Sequence, residues 1–163
     1  MKRAWTTIAI LAGLLVATPP AAAPQGAANG GREPLYDGLG SYRRKVTVRS
    51  DEARRYFDQG LGFLFGFNLG AARRAFAEAA RIEPDFAMAH WGVAMACGPH
   101  INYPLVPPEK AQIAWKAVIR AKELAEHVSP LEQGLIAAHT ELLLAFRDTF
   151  NVEGYVIIGM HTQ

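Results

Sequence analysis

The sequence predicts an all-α fold, a solenoid of antiparallel helix hairpins, and three observations carry that prediction. Tyr56, Gly60 and Phe63 share one helical stripe; Ala72, Phe76 and Ala79 share a second, and Pro84 follows as a stop. Small residues stand where two helices approach closely, and aromatic ones where their ridges interlock. The same small, bulky, small rhythm returns at Ala114, Val118 and Ala121. Helix-start signals mark the flanks: Ser50 ahead of Asp51 and Glu52, and Ser129 ahead of Pro130 and Glu132.

In chain order, residues 1–28 read as a secretory signal peptide. Met1, Lys2 and Arg3 give a basic start, and Ile8 to Ala17 form an apolar run too short to span a bilayer comfortably. Thr18, Pro19 and Pro20 break it, and small residues place cleavage near Ala23 or Ala28. The chain is therefore expected to be exported, periplasmic or secreted, meeting the membrane only during export. Residues 29–49 are a linker and short arm: Pro24 to Gly40 is rich in glycine, alanine and proline, and is expected to be flexible. Lys45 to Arg49 alternates polar residues with valine, the pattern of an extended arm.

Residues 50–150 form the helical domain. Helices are expected from about Asp51 to Phe67 and from Ala71 to Ile82, with Asn68 and Gly70 in the turn. A third runs from Phe86 to Cys97, where Gly98 and Pro99 stop it, and Gly98 to Pro108 is an inserted proline-rich loop. Glu109 to His127 and Ser129 to Phe146 restore helical spacing. Residues 151–163 are an irregular or truncated tail: Tyr155 to Ile158 is apolar without helical rhythm, and no capping helix follows. The chain is expected either to be part of a longer protein or to self-associate through this C-terminal end.

Ala53 to Phe86 fits the tetratricopeptide period of about 34 residues, and the domain holds about two and a half such repeats. The resemblance extends to detail. The run Tyr56-Phe57-Asp58-Gln59-Gly60-Leu61 with Phe65-Gly66-Phe67-Asn68, and the run Met88-Ala89-His90-Trp91-Gly92 with Gly98-Pro99-His100-Ile101-Asn102 and Pro104, are similar to the N-terminal part of an exported bacterial tetratricopeptide-repeat (TPR) protein family. The match covers Tyr56 to Ala138. The family implies protein binding and scaffolding, without a reaction or cofactor.

In a repeat of this kind one face of each first helix lines a concave groove. Here those positions are Arg54, Phe57, Leu61, Leu64 and Phe65, then Met88, Trp91 and Met95. Nothing basic replaces Phe57 and Leu61, which argues against a clamp for a C-terminal carboxylate. Leaving such a groove in water costs on the order of 1.5 to 3 kcal/mol for each large side chain, so something should cover it. The cover is either an apolar or amphipathic segment of a protein or peptide partner, or this chain's own arm, loop or downstream repeats.

The remaining chemistry is sparse. Half of the 163 residues are hydrophobic and a fifth charged, the balance of one ordinary domain. Removing Lys2 and Arg3 with the leader cancels the formal net charge of +2, which argues against nucleic acid. Cys97 stands alone, so packing without an intramolecular disulfide must hold the fold. His90, Cys97 and His100 offer imidazole and thiol donors for a metal-binding or enzymatic accessory site, the alternative reading, although no ligand motif surrounds them. No phosphate loop or nucleophile elbow is present, and no catalytic residue is assigned.

Overall fold

The computed structural model describes residues 32–102 and 104–150. The expected leader and tail lie outside the described residues. Every regular element among them is helical: α1 (Asp51–Phe65), α2 (Leu69–Ile82), α3 (Ala87–Cys97), α4 (Pro108–Glu123), a 3-10 turn (Ala125–His127) and α5 (Pro130–Phe150). Each helix packs on the next in sequence, and α3 also meets α1 and α5.

The caps explain the boundaries. The Ser50 hydroxyl accepts from the Ala53 N–H at the start of α1. At its end the Phe67 N–H bonds the Leu64 carbonyl and the Asn68 N–H bonds the Phe63 carbonyl, a Schellman closure that leaves Phe67 at φ 57°. Helix α1 therefore ends two residues earlier than its apolar pattern suggests. Asn68 caps α2 instead of lying in the turn, accepting from the Ala71 N–H. At α5 the Ser129 and Glu132 side chains cap reciprocally: the Ser129 N–H donates to Glu132 at 3.0 Å, and the Glu132 N–H to the Ser129 hydroxyl at 3.4 Å.

Ala53, Tyr56, Phe57, Gly60 and Leu61 form the buried stripe of α1, at helical spacing. The Phe76 ring of α2 occupies the gap between α1 and α3. A methyl group added to Gly60 would lie 2.6 Å from that ring, and one added to Gly92 would lie 2.4 Å from it. Both glycines thus admit one aromatic side chain from opposite helices. Helix α3 is buried almost all round, the signature of a central helix. Its C-terminal half joins Ala111, Ala114, Val118 and Leu143 in a second apolar cluster, which contains Cys97. Among the described residues no helix is long and apolar enough to cross a membrane.

Residues 32–49 form neither helix nor strand, yet they are held against the helices. From Arg32 to Leu39 the chain climbs α1. Arg32 pairs with Glu52 and Glu78, the Tyr56 hydroxyl donates to the Glu33 carbonyl, and the Tyr36 ring meets Phe63 edge-on. Gly38 and Gly40, both at φ 82°, turn it back. It then descends past Phe65, Asp58 and Arg54 to Glu83, which receives the Arg49 and Ser50 N–H groups. The expected flexible linker is therefore a strap from Arg32 onward. Its few apolar side chains, Leu35, Val46 and Val48, pack on the main core, and its backbone is bonded by side chains far away in sequence.

Candidate functional site

The strap changes the face expected to be a groove. Phe57, Leu61 and Met88 are fully buried and Trp91 is nearly so; Arg54, Leu64 and Met95 are half-buried, and only Phe65 of the eight is exposed. Phe57 lies between Phe76 and Phe86, at ring distances of 5.5 and 5.1 Å. Trp91 packs edge-on against His139 of α5 at 6.2 Å. Most of the predicted groove is thus interior, because Val46 and Val48 of the strap and Ile136 of α5 join the same core. Helical periodicity identifies the apolar stripe and cannot say what covers it.

What remains uncovered is the end of α1 and its turn. Phe65 is 60% exposed and Phe67 64%, with Tyr42 of the strap edge-on to Phe65 at 5.3 Å. Ile101 and Leu105 project from the inserted loop.

His90, Cys97 and His100 are not grouped as a ligand set among the described residues. His90 and Cys97 lie seven residues apart on α3, about 10 Å along its axis, which is too far for one ion. The His90 Nε2 is engaged with the Pro84 carbonyl at 3.0 Å, and burial pushes its pKa down. Burial pushes the Cys97 thiol up, away from the thiolate a metal needs. Among the described residues no three His, Cys, Asp or Glu side chains are grouped to hold a metal ion.

A different cluster is brought together, one that periodicity does not single out. The two limbs of the strap and α1 border an open depression of about 440 Å³, lined by Leu35 to Gly40, Tyr42 and Arg43 and floored by Arg55, Asp58 and Gln59. The floor residues are spaced i, i+3 and i+4, so they share a helix face. Gln59 is fixed from both ends of its amide: Oε1 accepts from the Tyr36 N–H and Nε2 donates to the Pro34 carbonyl, each at 2.8 Å. Arg43 donates to one carboxylate oxygen of Asp58 at 2.8 Å. The other oxygen, Oδ1, is buried without a hydrogen-bond partner. Burial pushes the Asp58 pKa up, and the Arg43 charge only partly opposes it. In the sequence these residues read as the solvated side of an amphipathic helix, and the Gly38-Leu39-Gly40 turn is the single hint that the chain folds back there.

His139 is a second side chain that the sequence leaves unremarkable. It is buried between α3 and α5 with Nδ1 unbonded, and burial lowers its pKa to about 4.

No family model matches the chain, and neither a curated protein nor a solved structure matches it.

Proposed function

We propose that this chain is a tetratricopeptide-type interaction module of an exported protein, without chemistry of its own, which binds an apolar or amphipathic segment of a protein partner. The repeat reading rests on the residue pattern from Ala53 to Phe86, with Gly60 and Gly92 closing on Phe76. The exported location rests on the basic start and the apolar run Ile8 to Ala17.

The observation that carries an interaction role is the aromatic end of α1. Phe65 and Phe67 remain largely in water beside Tyr42, where burial would be worth on the order of 1.5 to 3 kcal/mol for each ring. Phe57, Leu61, Met88 and Trp91 are then core residues rather than partner contacts.

Crosslinking followed by pull-down from the native cell tests the reading with the double variant Phe65→Ser/Phe67→Ser. Loss of one defined partner, with circular dichroism and melting unchanged, is the expected result. Retention of every crosslinked partner would remove the aromatic end from the function.

A further inference from the structure

We propose that the face of α1 and α2 beneath Arg32 to Tyr36 is a receptor site for an extended peptide, filled in this chain by its own rising limb, and that two copies exchange these limbs to form a dimer.

The limb is held as a bound peptide is held. Gln59 accepts the Tyr36 N–H and donates its amide N–H to the Pro34 carbonyl, each at 2.8 Å, so one side-chain amide serves Leu35 as a neighbouring parallel strand would. The Tyr56 hydroxyl adds a third main-chain bond, to the Glu33 carbonyl at 2.8 Å. The charges match as well: Arg32 meets Glu52 and Glu78, while Glu33 meets Arg74 at 2.7 Å. Leu35 packs on the main core, and the Tyr36 ring meets Phe63. Arg32, Glu33, Pro34 and Tyr36 each have a partner on α1 or α2, and none of these contacts requires the limb to belong to the same chain. A second copy is the occupant the charges select, because its Arg32 and Glu33 stand in the order that Glu78 and Arg74 match.

The chain also carries a hinge for the exchange. Gly38 and Gly40 join the rising limb to the rest of the strap, both at φ 82°, and a methyl group at either would meet nothing within 4 Å. The limb thus turns back through a conformation that glycine adopts freely and other residues resist, in open space. Exchange makes the same limb contacts between chains, so the turn and the protein concentration decide the balance. A limb tethered by so short a hinge competes at an effective concentration on the order of millimolar, which keeps the wild type monomeric at micromolar concentration.

Size-exclusion with light scattering on full chains tests the exchange. Glu33→Arg and Arg74→Glu each set like charges against each other, both within one chain and in their own exchanged dimer, so each alone should be monomeric. Mixed in equal amounts, both exchanged pairs are again opposite in charge, and a heterodimer should form at concentrations where neither chain dimerises alone. Gly38→Val/Gly40→Val resists φ 82° and should lower the concentration of half-dimerisation by about tenfold or more. Adding Arg74→Glu to it should reverse that gain. A mixture that stays monomeric would overturn the proposal. So would a hinge variant that is as monomeric as wild type, or one whose dimer is indifferent to Arg74→Glu. Should either charge-reversed chain fail to fold by circular dichroism, the hinge variant decides, since its substitutions enter open space.

Discussion

Thr47 gives both of its donors to Glu132: the backbone N–H at 2.8 Å and the hydroxyl at 2.7 Å, across 85 positions of sequence. The same carboxylate caps α5 through Ser129, and it is almost fully buried. Replacing Glu132 with Ala removes the cap and strands the Thr47 and Ser129 N–H groups, so unfolding by urea should show a loss of about 2–4 kcal/mol. Thr47→Val, which keeps the backbone bond, should lose about 1 kcal/mol.

The acid-sensitive groups separate by pH window. Burial lowers the His139 pKa to about 4, so its contribution is fully present above the unfolded value of 6.5 and is lost as pH falls toward about 4, on the order of 3 kcal/mol in all. His90 acts in the same direction. Burial pushes the Glu132 carboxyl up, but the bonds from Ser129 and Thr47 together outweigh it and hold its pKa below the ordinary carboxylate value. Its contribution is therefore present above the unfolded carboxylate value of 4.5 and lost below it. His139→Gln should flatten the stability profile between about pH 6.5 and 4 and leave the steeper fall below it. A profile unchanged by that substitution would contradict the burial of His139.

Three helical glycines should respond differently to alanine. Gly60→Ala and Gly92→Ala press a methyl group into the Phe76 ring and should each destabilise by about 1–3 kcal/mol or more in thermal unfolding. Phe76→Leu in the same chain should recover part of either loss. Gly134→Ala in α5 meets nothing within 4 Å and should stabilise by about 0.5–1 kcal/mol.

Phe67 sits at φ 57°, a conformation that favours glycine, while Gly66 occupies the neighbouring position that does not need it. Phe67→Gly should leave the fold intact and raise stability by up to about 1 kcal/mol, because the ring is exposed and contributes little packing. A marked loss of stability would show that the ring is covered in solution, for example by a partner copy.

The helices were legible in the sequence because their signals are local. The stripe of Tyr56 and Gly60, the Ser50 cap and the Ser129 cap with Glu132 close behind all lie within a few residues of the structure they specify. That Gly60 permits a close approach and that Phe76 fills one was legible for the same reason; that the two meet each other was not. The strap was not, since Gln59, Glu83 and Glu132 hold its backbone from positions that look like ordinary surface glutamines and glutamates. Composition between Pro24 and Gly40 shows little to bury, and it is silent about hydrogen bonds to the main chain. The groove failed as an open site for a related reason: periodicity finds an apolar face, and only tertiary contact reveals its cover.

The Thr47 to Glu132 bond also bears on how the molecule assembles. A row of helix hairpins touching only their neighbours can nucleate anywhere, and its ends can fray independently. Here the segment before α1 is clasped to the start of α5, a long-range contact of the kind whose loop closure slows folding. In exchange α1 and α5 open together, so their amide protons should exchange at a common rate in wild type and at separate rates in Glu132→Ala.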